Sequence, residues 1–167
     1  MYATLTPGDP TTGAPVVLRR LVDNTGEQAM TLALWRTEHD AAAAGGAVWT
    51  VIDHHSGRAA DATPVAAQVT WFHGPRSAEQ VAADTRAGRE RLWPAVQDAE
   101  GLVDVIVLQA TDGASVVVGS ATDAEHFAEV TRRIMSTTLL PGENPALLTG
   151  PDRLETYRLE TATRSPR

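Results

Sequence analysis

The residues best suited to chemistry gather at one place in this 167-residue chain, Val69-Thr70-Trp71-Phe72-His73. Alternate side chains of an extended strand share a face, so Val69, Trp71 and His73 point the same way. An indole wall beside an imidazole that titrates near neutrality can hold a phenolic ring and accept its proton. A packed tryptophan beside a surface histidine is the plainer reading of the same residues. Two further candidates lie apart. Trp35 precedes a short alanine-rich stretch and is either a pocket wall or core beneath that helix. Asp104, among Leu102, Ile106 and Leu108, is either a buried base with a raised pKa or an exposed strand start. The catalytic candidates are therefore His73, Trp71 and Trp35, with Phe72, Asp104 and Phe127 as candidate substrate contacts.

Other chemistries find little support. The adjacent His54 and His55 point to opposite faces of a strand and cannot easily share one ion. No His-x-His, His-Glu-x-x-His or spaced acidic triad accompanies them, so no metal site is expected. Haem would have His73 or His126 as axial candidates, and His126 shares an outer helical face with Glu129 and Arg133. The chain has no cysteine, and all 14 basic side chains are arginine. That removes thiolate nucleophiles, cysteine-bound clusters, Schiff-base lysines and the P-loop lysine. Arg19 and Arg20 either clamp an anion or face water. Glycine-rich phosphate loops and a Gly-x-Ser-x-Gly elbow are absent. No cofactor is expected. A net charge of −7 with scattered arginines argues against nucleic acid and an anionic membrane surface. With no secretory leader and no long apolar run, a cytoplasmic location is expected.

The strands and helices that carry these residues form a repeat. Val16 to Val22, a turn at Asp23-Asn24-Thr25-Gly26, Met30 to Trp35 and a helix capped by Thr37 form the first copy. Leu102 to Leu108, a turn at Thr111-Asp112-Gly113, Val116 to Ser120 and a helix opening at Thr122 with Glu125 form the second. This pairs Trp35 with Ser120 and implies a fold built by duplication. Met1 to Thr6 reads as an edge strand, and Ala47 to Asp53 as a strand after Gly45-Gly46 stops the first helix. Ala67 to His73 is a strand, and Ser77 with Gln80 forms a capping box. The long helix opened by that box has Val81, Thr85, Gly88, Leu92 and Val96 on one face, and Pro94 must kink or restart it. Phe127, Val130 and Ile134 are the buried face of the next helix, with Glu129 and Arg133 paired outside. A loop from Pro141 to Pro151, with one helical turn near Ala146-Leu148, leads to a last strand, Leu154 to Glu160.

The order from Ala67 onward is βαββαβ, the ferredoxin-like arrangement. The predicted fold is α+β, with two ferredoxin-like halves packed sheet to sheet as an α+β barrel, the first half lacking its long helix. Residues 1–55 are the truncated half, 56–65 a linker, 66–161 the complete half and 162–167 a tail. The barrel closes either within one chain, as a monomeric pseudo-dimer, or through a homodimer.

Val69 to Leu159 resembles the antibiotic biosynthesis monooxygenase-like proteins of the dimeric α+β barrel superfamily. The likeness rests on the opening strand, the long helix before Gly101-Leu102, the strands around Asp112-Gly113, the Thr-x-x-Glu cap and the late strand with Tyr157. Trp35-Arg36-Thr37 matches a tryptophan that the family commonly places before a helix cap. The resemblance implies oxidation of aromatic polyketides by oxygen without metal or flavin, haem degradation in other members, and a pocket between sheet and helices. Some catalytic members carry an asparagine four residues before that tryptophan; Thr31 and Val116 stand there here. The reading it implies first is a cofactor-independent monooxygenase acting on a small aromatic or quinone-like metabolite. Here Trp35 and Trp71 are walls and His73 is the base. The alternatives are a non-catalytic barrel that binds a small molecule or partner, and a haem-binding barrel.

Overall fold

Alternating apolar residues draw eight stretches of this chain into strands, as a computed structural model describing residues 1–8 and 13–160 shows. The first half contains β1 (Tyr2–Pro7), β2 (Val17–Val22), β3 (Ala29–Trp35), α1 (Glu38–Ala43) and β4 (Val48–Ser56). The second contains β5 (Ala66–Phe72), α2 (Ala78–Ala87), α3 (Trp93–Val96), β6 (Leu102–Gln109), β7 (Ser115–Ala121), α4 (His126–Met135) and β8 (Arg153–Glu160). The strands close in the order β1-β3-β2-β8-β5-β7-β6-β4, all neighbours antiparallel. Each half contributes the same four-strand order, β4-β1-β3-β2 and β8-β5-β7-β6. The halves meet at two seams, β2 with β8 and β4 with β6. One chain therefore closes the barrel by itself. β1, expected at an edge, lies inside the sheet between β3 and β4. The 162–167 tail lies outside the described residues.

The lumen is the shared core of the two sheets. Ala3, Leu21, Leu32, Leu34, Val69, Ile106, Leu108, Val116 and Val118 are buried there in one cluster, flanked by Trp49 and Trp71. An eight-stranded barrel leaves an interior that side chains just fill. The ladder corrects one feature of the repeat. Ser120 faces the lumen, whereas Trp35 faces outward and packs with Ala33, Ala41 and Ala44 beneath α1. Residues of opposite strand parity cannot be equivalent, so the pairing of Trp35 with Ser120 is one residue out of step.

One helix start and the course of the long helix also differ from the sequence pattern. The Ser77–Gln80 capping box forms as expected. The Thr122–Glu125 box does not: α4 begins at His126, and Asp123 instead accepts the Glu125 backbone N–H at 2.7 Å. The long helix is interrupted by a π-turn at Gly88–Leu92, one turn before Pro94, which has no N–H to give the ladder.

One polar group crosses the lumen. β2 and β6 stand four strands apart by either route around the barrel. Arg19 on β2 reaches Asp104 on β6 with two bonds, Nη1 to Oδ1 at 2.9 Å and Nη2 to Oδ2 at 2.5 Å. Its Nη1 also donates to Ser120 Oγ at 3.1 Å, and the Ser120 hydroxyl donates to Asp104. Burial by itself pushes the Asp104 carboxyl up, but the Arg19 guanidinium, with Ser120 and His54, outweighs it and holds the group below its usual range. The raised pKa entertained for Asp104 is thus reversed by a partner on the opposite wall. Because the folded-state value lies below the unfolded one, this stabilisation is complete above a pH of about 4. It is lost as pH falls through the folded value. Asp104→Ala is expected to destabilise the barrel by roughly 3–5 kcal/mol in chemical denaturation, since it strands a buried guanidinium. Arg19→Met combined with Asp104→Leu is expected to recover most of that loss. An additive double mutant would show that the pair does not couple the two walls.

Candidate functional site

Helices cover only one side of the second half's sheet, and most of that layer is packed shut. Val96, Ala99, Leu102 and Val130 form its centre, with Trp93, Val105 and Ile134 against them. The π-turn sets the phase of the side chains within it and just beyond. Arg89 thereby meets Asp53 at 2.9 Å, Arg91 meets the buried Glu143 at 2.9 Å, and Trp93 stacks on His55 at 4.5 Å. His55 therefore lies on the outer face, while His54 reaches the opposite side toward Asp104 at 3.4 Å. Among the described residues no three His, Asp or Glu side chains gather to hold a metal. No helix there is long and apolar enough to cross a membrane.

The layer opens at the first turn of α2. A groove of about 570 Å3 runs between that turn and the β6–β7 hairpin, lined by Arg76, Ala78, Val81, Ala82, Gln109 and Thr111, with Asp112 at its rim. Its walls are tied together. The Arg76 N–H donates to the Asp112 carbonyl at 2.9 Å, and Gly113 has φ +85°. A Cβ at Gly113 would lie 2.9 Å from the Arg76 carbonyl and 3.0 Å from Val81, so only glycine lets the hairpin approach this closely. The Arg76 side chain is 6% exposed, pairs with Asp84 through Nη2, and lies 5.7 Å from the centre of the Phe72 ring. Its Nε–H is buried without an acceptor. Burial pushes the Asp84 carboxyl up, and Arg76 only partly offsets this. A second, smaller groove of about 370 Å3 runs past Asn24, Val65 and Thr156 on the outside of β8.

The candidate residues fall in separate places. Phe72 alone adjoins the larger groove. Trp71 takes the other face of β5, at one end of the lumen, where its indole N–H donates to Glu155 Oε2 at 3.1 Å. His73 lies one residue beyond the end of β5, so the alternation that grouped it with Trp71 has stopped. It is exposed and lines neither groove; its backbone N–H donates to Asp152 at 2.8 Å. Trp35 donates to Thr4 Oγ1 at 3.1 Å within the core. Asp104 is held in the lumen, and Phe127 is buried with Ala66 and Ala121. Thr31 is buried and donates to the Gly8 carbonyl at 2.6 Å, and Val116 packs in the lumen. His126, expected to be solvated, rests its ring on Gly101, and its Nδ1 is buried without a partner.

Sequence reasoning passed over Arg76, whose signal was only its place between Pro75 and a capping box. It also passed over Glu155, which gathers three donors on one oxygen: Trp71, Tyr157 at 2.9 Å and Arg153 at 2.9 Å. Burial first, then the hydrogen bond to Glu155 and the Glu155 charge, push the Tyr157 phenol up to about 12. Tyr2 and Tyr157 are the chain's two tyrosines. In a Tyr2→Phe background, Glu155→Gln is expected to lower the phenol titration read by ultraviolet absorbance, without reaching the ordinary value, because burial remains. An unchanged titration would show that the Glu155 charge does not act on Tyr157.

No family model and no curated protein matches the chain. Solved structures do. An uncharacterized ferredoxin-fold protein from Listeria monocytogenes, described as related to antibiotic biosynthesis monooxygenases, aligns over 96% of this chain and 94% of its own, with a TM-score of 0.64 at 10% identity. A monooxygenase-like protein from Listeria innocua aligns over 95% and 93%, with a TM-score of 0.61 at 10% identity. A heme-degrading enzyme from Listeria monocytogenes aligns over 95% and 99%, with a TM-score of 0.58 at 13% identity. From seam to seam, the chain has the fold of the ferredoxin-like proteins related to antibiotic biosynthesis monooxygenases.

Proposed function

We propose that the protein is a binding barrel of the monooxygenase-like fold, taking a small aromatic or quinone-like metabolite at the open end of its second sheet–helix layer. The observation that carries this reading is the separation of the reactive candidates from the groove: His73 is exposed outside it, and Trp35 is spent in packing. What the groove supplies is recognition. Alanines and Val81 form a low apolar wall, Gln109 and Thr111 give polar groups, and Arg76, with the Phe72 ring behind it, forms one side. A volume of about 570 Å3 suits a two- or three-ring molecule.

The second reading, a cofactor-independent monooxygenase, draws support from neighbours of the same fold described as monooxygenase-like. In that chemistry the substrate is its own electron source and the protein supplies a base and a dry pocket. A third, haem binding, draws support from the likeness to the heme-degrading enzyme. A titration of tryptophan fluorescence with a hydroxyanthraquinone is expected to saturate at one molecule per chain. An oxygen electrode with an anthrone substrate is expected to register no uptake beyond the buffer rate. Protein-dependent uptake that falls in His73→Ala would establish the oxygenase instead. A stoichiometric Soret band on haem titration would establish the third reading.

A further inference from the structure

We infer that the groove between α2 and the β6–β7 hairpin selects an uncharged ligand by a carbonyl oxygen that accepts from the Nε–H of Arg76, which makes Arg76 the specificity-determining residue. This rests on the reading that a small aromatic molecule binds there, and adds what part of it is recognised.

The grounds are charge and an unmet hydrogen bond. Arg76 is almost wholly buried, with 6% of its side chain exposed. Its charge is already matched by Asp84, and Asp112 stands on the rim of the same groove. An anionic ligand would meet the Asp112 carboxylate and a cation that Asp84 already pairs, so a phenolate or carboxylate is disfavoured. One donor nevertheless remains. Buried N–H groups are nearly always satisfied, and an orphan is a place where a partner belongs. Here the orphan is Nε–H, on a residue that lines the larger groove. A neutral acceptor satisfies it without adding charge, and a carbonyl oxygen is the simplest such group. Nε is itself buried, so the guanidinium must tilt for a ligand oxygen to meet it. Nε–H lies on the same guanidinium edge as the Nη2 bonded to Asp84, so a ligand oxygen that meets it sits beside the Asp84 carboxylate.

The flatness of the ligand is set by the walls. Ala78, Ala82, Ala110 and Gly113 present no large side chain along the groove, and the fixed approach of the hairpin to Arg76 sets its width. A rigid planar body fits such a slot with little ordering cost.

Three probes of one shape separate the possibilities: fluorenone with a neutral carbonyl, fluorene with none, and fluorenone carboxylate with a charge. Calorimetric titration is expected to show fluorenone binding about tenfold tighter than fluorene, the worth of one hydrogen bond gained. The carboxylate is expected to bind no better than fluorene. Arg76→Lys keeps a cation for Asp84 but has no Nε–H. It is expected to bring fluorenone down to the affinity of fluorene while leaving fluorene unchanged. Asp84→Asn is expected to raise the affinity of the carboxylate, because the cation then lacks its partner. Circular dichroism and the melting temperature would check that both variants keep the barrel. Equal binding of fluorenone and fluorene, or a fluorenone preference that survives Arg76→Lys, would overturn this inference while a bound hydroxyanthraquinone still upheld the binding reading. Failure of all four compounds to bind would overturn both.

Discussion

The barrel depends on a charge pair held across its lumen. Eight strands at ordinary tilt enclose a space that side chains fill without a channel. In such an interior an unpaired ion would be costly, and Arg19 and Asp104 are tolerable only together. They come from strands on opposite walls, so neither is satisfied until both halves are folded and closed. Ser120, itself fully buried, bonds to both and fixes the pair's height in the lumen. Hydrophobic burial supplies most of the energy for closure. The ion pair adds a condition on register, because a one-residue slip of β2 or β6 would turn Arg19 or Asp104 to the outside.

Closure also settles the edges. Two separate four-stranded sheets would each expose two rows of unpaired backbone groups. Here β2 pairs with β8 and β4 with β6, and the rows are used up. Because both halves lie on one chain, the seams form at fixed effective concentration rather than by association of two subunits. The turn from Gly57 to Thr63 that links the halves runs straight from one seam strand to the next half, its Gly57 and Ala59 N–H groups bonded to Val103 and Leu102.

Much of this was legible in the sequence, and the failures have physical causes. Strands such as β2 and β6 show period-two patterning, so their existence and faces could be read from Val17-Arg19-Leu21 and Asp104-Ile106-Leu108. A charge on the inner face of each was already a hint of a pair. The closure itself was not legible, because the seams join residues such as Arg20 and Glu160 that no local pattern connects. The slip that matched Trp35 with Ser120 arose because the two hairpin turns differ in length; adjacent sequence positions then fall on opposite faces. The π-turn escaped because Val81, Thr85, Gly88 and Leu92 keep helical spacing up to the point where one extra residue enters. At the candidate site, Trp71 and Phe72 were readable as a strand end, but the residue at which the ladder stops was not. That single position decides whether His73 belongs to a wall or to solvent.

The distribution of packing then decides where a ligand can go. Strand faces that line the lumen are committed to the core, down to the Glu155 oxygen that holds Trp71, Tyr157 and Arg153. Any binding surface must therefore lie on the outside of the barrel, where the two halves have diverged. Among the described residues, the six-residue α1 is the one helix on the first half's outer face, and Trp35 fills the space beneath it. The second carries α2, the π-turn, α3 and α4, thick enough to leave a groove once its centre is packed. The two halves carry sheets of the same strand order, and the shared lumen keeps both of them regular. Only the outer layers are free to differ without disturbing closure, so a new binding preference can arise in one half while the other maintains the barrel.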